Sequence, residues 1–134
     1  MLDQKLIEEL IETAIGMTKM SYTPYSNFKV GAALLDKNGD VHLGCNIENA
    51  AYGATNCAER TALFSAVAKG IKEFEKIAVV ASSGDYASPC GICRQVLFEF
   101  MPDGKVILDS DEKGMKVFTA RELLPFGFSS ADLK

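Results

Sequence analysis

The chain has 134 residues, with 14 basic and 18 acidic side chains and a formal charge of −4. That length predicts one domain over residues 1–134, large enough for a core that needs no cross-links. A composition of 48% hydrophobic and 24% charged residues excludes disorder, and a pI near 5.0 argues against nucleic acid or an anionic membrane, which both need a basic face.

Hydrophobic spacing orders the elements along the chain. Leu2, Leu6, Ile7, Leu10, Ile11, Ala14 and Ile15 recur at helical spacing, with Glu8, Glu9 and Glu12 between them. This predicts an amphipathic helix ending near Gly16 to Met20. Ser21 to Asn27 is turn chemistry with two tyrosines, and Pro24 keeps its neighbourhood out of the helical region. Phe28 to Leu35 reads as a strand, Asp36 to Gly39 as a hairpin turn, and Val41 to Ile47 as the return strand.

A second helix fits Cys57 to Lys69, capped by Thr55 or Asn56 and stopped by Gly70. Ile77 to Ala81 is a short unbroken apolar run, as expected of a strand covered on both faces. Ser88-Pro89 has the form of a helix start, with the helix running from about Cys90 to Phe100 and halted by Pro102. Val106 to Leu108 and Met115 to Phe118 predict two more strands, and Thr119 to Glu122 spells a capping box for a short last helix. Helices alternating with apolar strands predict an α/β fold, a three-layer α/β/α sandwich around a five-stranded sheet. Because the first two strands form a hairpin, that sheet is expected to be mixed.

The start MLDQKLIEEL lacks the basic n-region and continuous apolar core of a secretory signal. No run approaches the roughly 18 apolar residues of a membrane span. A cytoplasmic protein with reduced cysteines is therefore expected, and such cysteines are buried, catalytic or metal-bound.

Three of the four cysteines fall at predicted helix starts: Cys57 at one, Cys90 and Cys93 at another. A helix N-terminus carries about half a positive charge and free N–H groups, which favour thiolate, the form that binds zinc. Three protein ligands are the pattern of a catalytic zinc site, whereas four make a structural one. Cys45 lies on a predicted strand and is assigned to the core; His42, the sole histidine, is assigned to the strand surface. Glu59 follows Cys57 within the same helical turn, where a carboxylate can take a proton from activated water without binding the metal. A redox dithiol is the competing reading of Cys90-Gly-Ile-Cys93, but it leaves Cys57-Ala-Glu59 without a role. Glu73, Glu75 and the stretch from Asp109 to Glu112 read as solvated surface.

Cys57-Ala-Glu-Arg60 together with Pro89-Cys-Gly-Ile-Cys93 resembles the zinc deaminase signature. Three further segments resemble the cytidine deaminases within that superfamily: Tyr22 to Ala33, Gly44-Cys-Asn-Ile-Glu-Asn-Ala-Ala-Tyr52, and Leu123-Leu-Pro-Phe-Gly-Phe-Ser-Ser130. With cysteine as first ligand and a short chain, the sequence is similar to the homotetrameric zinc-dependent class. Resemblance covers nearly the whole chain.

That resemblance implies one Zn²⁺ per subunit on Cys57, Cys90 and Cys93, with Glu59 as proton shuttle. It implies hydrolysis of cytidine and deoxycytidine to uridine and deoxyuridine through a zinc-activated water attacking C4, in pyrimidine salvage. Asn46 and Glu48 would hydrogen-bond the ribose hydroxyls, and their i, i+2 spacing on a strand puts both on one face. Phe28 would pack against the substrate, and the backbone around Ala58 would meet the pyrimidine amide edge. Phe128 matches an aromatic inserted into a neighbouring subunit's site, so active sites would be shared within a homotetramer; Phe126, in place of a small residue, is the other candidate. Tyr52 is expected at a subunit contact.

Three thiolates around Zn²⁺ leave a negative core that makes bound water a poorer acid. Arg60, one turn past Cys57, and Arg94, directly after Cys93, are therefore expected to donate to ligand sulfurs. The partner expected is a small nucleoside, with no nucleic acid and no membrane. A deaminase of a cytosine nucleoside antibiotic is the alternative, and a polynucleotide-editing deaminase, which needs a basic groove, a weaker one.

Overall fold

The computed structural model describes residues 3–133. Asp3 caps the first helix, α1 (Gln4–Met17), its side chain accepting from the amides of Lys5 and Leu6. Leu2, the first residue of the predicted apolar stripe, lies outside the described residues. Ile7, Leu10 and Ala14 are buried and Glu8, Glu9 and Glu12 are exposed, as the spacing requires. Ile15 departs from the expectation and is about half exposed.

The sheet is five-stranded and mixed, in the order β2-β1-β3-β4-β5. Its strands are β1 (Val30–Asp36), β2 (Val41–Cys45), β3 (Phe74–Ala81), β4 (Lys105–Leu108) and β5 (Lys116–Thr119). β1 pairs antiparallel with β2 and β3, β3 pairs parallel with β4, and β4 pairs antiparallel with β5. β1 begins two residues after the predicted start at Phe28. Beyond the end of β2, Ile47 keeps only isolated bridges to Tyr22 and Asn56.

Alternation along β1 feeds both faces of this sheet. Ala33 and Leu35 pack with Ile7, Leu10 and Ala14 of α1, joined by Ala78, Val80 and Ile107. Ala32 and Leu34 pack on the other face with Ala58, Ala62, Leu63 and Ala66 of the second helix, α2 (Ala58–Ala68). Leu97 of α3 (Gly91–Phe100) closes the same layer. The three-layer expectation holds. The capping box is also present: Glu122 N donates to Thr119 Oγ1 at 3.0 Å and Thr119 N to Glu122 Oε1 at 2.7 Å, opening α4 (Ala120–Leu123).

His42 corrects the reading of β2. Its inward face carries the histidine, only 8% exposed, while Val41 and Leu43 point out and are over two-fifths exposed. The reason is Asp36 at the end of β1, which has no exposed surface. Its carboxylate faces His42 Nε2 at 2.9 Å and accepts from the amides of Asn38 at 2.8 Å and Asp40 at 3.0 Å. A buried carboxylate without such partners is strongly unfavourable, so the hairpin sends its polar side chain inward.

These partners, His42 foremost, hold the Asp36 carboxyl below its usual range. A depressed folded pKa gives stability that is fully present above the unfolded value of about 3.9 and lost as pH falls through the lower folded value. Asp36→Asn is therefore expected to lower the denaturation midpoint at pH 7 and to flatten its fall between pH 5 and 2. Chemical denaturation of both proteins across that range measures the difference.

Candidate metal centre and substrate cleft

Close packing of α2 on β2 brings the first ligand into place. A Cβ on Gly44 would lie 2.2 Å from the Ala58 carbonyl oxygen and 2.6 Å from Ala62 N, so only glycine admits this approach. Cys57 is the N-cap of α2 and Cys90 the N-cap of α3. Neither expected cap takes its place. Thr55 and Asn56 precede the cap of α2, and Ser88-Pro89 precede that of α3. The Cys90 sulfur performs the capping itself, accepting from Cys93 N at 3.5 Å. Two helix N-termini thus converge on one group of sulfurs.

The Sγ atoms of Cys57, Cys90 and Cys93 lie within 4.8 Å of one another, and those of Cys57 and Cys90 are 3.8 Å apart. A tetrahedral zinc–sulfur site with bonds of about 2.3 Å has sulfur–sulfur edges of about 3.8 Å, so the donor set fits zinc in both chemistry and spacing. Arg60 Nη2 donates to Cys57 Sγ at 3.2 Å, and Arg60 Nε is buried without a hydrogen-bond partner. The Cys57 thiol is lowered to about 5 by its hydrogen bond from Cys93, with help from Arg60 and Cys90. Cys93 is pushed far up because it donates to that thiolate and is buried. Three sulfurs at this distance cannot all ionise without a cation. Cys45 stays outside the group, buried, with burial raising its thiol.

Glu59 sits one residue into the helix after Ala58, only 4% exposed. Burial foremost, and then the Cys57 thiolate, raise its carboxyl to about 7. It feels the Cys93 sulfur as well. A buried carboxyl beside three thiols, near neutrality, is equipped to accept and release protons.

Arg94 does not do what its position after Cys93 implied. Its Nε donates to Pro89 O at 2.8 Å, Nη1 to Leu123 O at 3.0 Å and Nη2 to Ser88 Oγ at 2.8 Å. The side chain leaves α3 away from the sulfurs and ties the ligand loop to the C-terminal segment. Of the two arginines, Arg60 alone is bonded to a ligand sulfur.

The residues expected on the substrate side form a three-stranded stitch. Tyr22 N donates to Asn46 O at 3.1 Å, Glu48 N to Tyr22 O at 2.8 Å, and Ile47 exchanges both backbone bonds with Asn56 at 2.9 Å. Asn46 and Glu48 therefore flank an isolated bridged residue beyond the end of β2, not within the strand their spacing assumed. Asn46 is buried: its Oδ1 accepts from Val30 N at 2.9 Å and its Nδ2 donates to Phe28 O at 2.7 Å. Glu48 accepts from Tyr25 N at 3.0 Å, from Ser26 N at 3.2 Å and from the Ser26 hydroxyl. These side-chain bonds across some twenty residues are legible in no local spacing. A cavity of about 420 Å³ lies here, lined by Tyr25, Ser26, Glu48, Tyr52 and Thr55. Neither this cavity nor a larger cleft of about 700 Å³, lined by Lys37, Phe100, Pro102 and Lys105 among others, is lined by a cysteine, and the sulfur group rather than cavity size locates the metal centre.

Ala58 is fully buried as the first residue of α2, while Phe28 is 44% exposed. Phe128 is half exposed and its carbonyl accepts from Gln95 Nε2 of α3 at 2.9 Å. Phe126 is fully exposed and adopts a left-handed backbone, φ 57°. Tyr52 is three-quarters exposed and meets Tyr25 edge-on, ring centroids 6.1 Å apart.

An α/β/α sandwich with three thiols at two helix starts and a buried glutamate beside them defines a zinc hydrolase. Residues 4–109 match the family model for the cytidine and deoxycytidylate deaminase zinc-binding region. A cytidine deaminase of Halalkalibacterium halodurans is 50% identical over 131 residues, covering 97% of this chain and 96% of that protein. The crystal structure of cytidine deaminase from Burkholderia pseudomallei superposes with a TM-score of 0.86 at 50% identity, covering 90% of this chain and 98% of that one. A Blasticidin-S deaminase of Bacillus cereus is more distant, 33% identical over 129 residues, 90% of this chain and 91% of its own. The chain belongs to the cytidine and deoxycytidylate deaminase family.

The two arginines are separable by experiment. Arg60→Gln is expected to lower zinc retained after dialysis, because the ligand thiolate loses its donor. Arg94→Gln is expected to keep a full complement of zinc and to lose about 1–3 kcal/mol of stability with its hydrogen bonds. Metal analysis beside denaturation curves checks both.

Proposed function

We propose that this protein hydrolyses cytidine and deoxycytidine to uridine and deoxyuridine with release of ammonia, as a salvage enzyme with one Zn²⁺ per chain. The observation that carries this reading is the cluster of three sulfurs within 4.8 Å with the buried Glu59 beside it. Cys57, Cys90 and Cys93 hold the metal, which when bound supplies a water activated for attack on C4 of the cytosine ring.

The chain's own groups supply the rest. Glu59 takes a proton from that water and delivers it to ring N3, which makes C4 electrophilic. The water oxygen bonds to C4, its second proton passes through Glu59 to the exocyclic nitrogen, and the C4–N bond breaks to leave a C4 carbonyl and ammonia. Burial of Glu59 keeps its proton from exchanging with bulk water between these transfers. Asn46 has an amide hydrogen and a lone pair left over from its structural bonds, and Glu48 has a free acceptor position. Both serve the sugar hydroxyls. The free N–H groups at the start of α2, around Ala58, meet the amide edge of the base. Phe28 covers one face of the substrate.

We also propose a cytoplasmic, single-domain chain over residues 1–134 that assembles as a homotetramer. Among the described residues no helix is long and apolar enough to cross a membrane. Half-exposed Phe128, anchored through Gln95 of the ligand-bearing helix, reaches the neighbouring subunit's substrate, with Phe126 beside it. A second reading, deamination of a cytosine nucleoside antibiotic, is disfavoured by the greater distance of the blasticidin relative and by the sugar-facing pair Asn46 and Glu48. A polynucleotide substrate finds no support in a net charge of −4.

Loss of ultraviolet absorbance on mixing with cytidine, deoxycytidine, their monophosphates or single-stranded DNA tests the activity. Turnover of the two nucleosides, abolished by a chelator, is expected; turnover of DNA alone overturns the reading. Glu59→Ala is expected to keep its zinc and lose kcat by about 10²–10⁴-fold. Near-normal turnover in that variant removes Glu59 from the mechanism.

A further inference from the structure

Glu48 is held by its neighbours before any substrate arrives. A carboxylate offers about four acceptor positions. On Oε1, two are filled by the amides of Tyr25 at 3.0 Å and Ser26 at 3.2 Å. On Oε2, one is filled by the Ser26 hydroxyl. One position remains, on Oε2, beside the cavity that Tyr25, Ser26, Glu48, Tyr52 and Thr55 line. Which way the Ser26 hydroxyl points is settled by its second bond. Phe28 N donates to Ser26 Oγ at 3.0 Å, so the hydroxyl accepts from Phe28 and its own hydrogen is committed to Glu48. Asn27, between them, takes a left-handed backbone with φ 56° and closes the turn through Asn27 N to Thr23 O at 3.1 Å. The turn directs both bonds of Ser26 inward to this pair.

We propose that Ser26 is a positioning residue for the sugar, joining the acceptor Glu48 to the substrate-facing Phe28 through one hydroxyl. The inference rests on the reading above in which Glu48 accepts from a sugar hydroxyl. With Oε1 filled and half of Oε2 taken, the carboxylate presents one lone pair in one direction. A neutral hydroxyl donor fits that position. Charge assistance from Ser26 keeps the carboxyl ionised, below its usual range, so that it only accepts. The same hydroxyl fixes the backbone of Phe28, so the sugar acceptor and the aromatic wall move as one unit. Ser26 is exposed, and its replacement creates no buried cavity.

The test is the ratio of kcat/KM for cytidine to that for 2′,3′-dideoxycytidine, which has no sugar hydroxyl for Glu48. Ser26→Ala is expected to reduce this ratio about tenfold, the worth of a hydrogen bond of ordinary strength. The change is expected in KM for cytidine, with kcat held within about threefold and zinc content unchanged. Ser26→Thr, which retains the hydroxyl at an exposed position, is expected to restore the ratio. If Ser26→Ala slows both substrates alike, or neither, the assignment of Ser26 is wrong. Glu48→Ala separates the two ideas. Should it leave the ratio unchanged, the sugar role of Glu48 fails and takes the Ser26 proposal with it. Should it abolish the ratio while Ser26→Ala leaves it unchanged, only the Ser26 proposal falls.

Discussion

Bringing three sulfurs within 4.8 Å of one another is the constraint around which the rest of this chain is arranged. Thiolates so close repel strongly in a partly buried setting, and neighbouring positive charge must offset that repulsion. The fold supplies two helix N-termini pointing at one place, because α2 follows the stitched segment after β2 and α3 follows β3, both entering from the same end of the sheet. Arg60 adds a full charge from within α2 itself, 3.2 Å from the Cys57 sulfur. Gly44 is part of the same arrangement, since a side chain there would hold α2 off the sheet and carry Cys57 away from its partners. Packing and electrostatics are therefore one problem here, solved by where two helices begin.

The substrate side is built differently, from irregular backbone made rigid by side chains. Glu48 spends three of its four acceptor positions on Tyr25 and Ser26, Asn46 spends half of its capacity on Phe28 and Val30, and each keeps one or two positions in reserve. A polar group already fixed by its neighbours loses little freedom when a ligand binds, so its remaining bond is available without reordering. The metal side holds charge and the sugar side holds direction. Both depend on the segment that runs from Asn46 to Cys57, which leads from one directly into the other.

Much of this was legible in the sequence, and the limits have physical causes. Apolar patterning placed α1 and β3, and turn, glycine and proline signals placed the hairpin and both ligand-bearing helices, all within a few residues. The sulfur group and Glu59 were legible because a metal site needs its ligands at helix starts and in short spacings. His42 was misplaced because the rule that apolar residues turn inward reverses wherever a buried carboxylate, here Asp36, needs a partner. Arg94 was misassigned because adjacency in sequence fixes neither the face of the helix nor the course of a long side chain; its three bonds run to Ser88, Pro89 and Leu123. The helix caps were read one or two residues early: at α3 the Cys90 sulfur takes the capping role, and at α2 Cys57 stands at the cap with no side-chain capping bond at all. The bonds of Ser26 to Glu48 join residues 22 positions apart, and no local pattern records such a pair.

Exposure at the site carries the last step. Cys90 is exposed, and Phe28, Tyr52, Phe126 and Phe128 present large apolar surfaces nearby or on the segment that α3 anchors. The two proton transfers proposed for Glu59 would work best shielded from bulk water. Among the described residues, α1 covers one face of the sheet and α2 and α3 the other, and Cys90 and these aromatics stay exposed. The proposed assembly answers both conditions at once. In that assembly, aromatics that are costly to leave in water would become the wall of a neighbour's cleft, and a site open in one subunit would be closed by the next. Phe126 fits the same logic, since a bulky residue in a left-handed conformation costs about 1–2 kcal/mol in an isolated chain and needs a compensating contact.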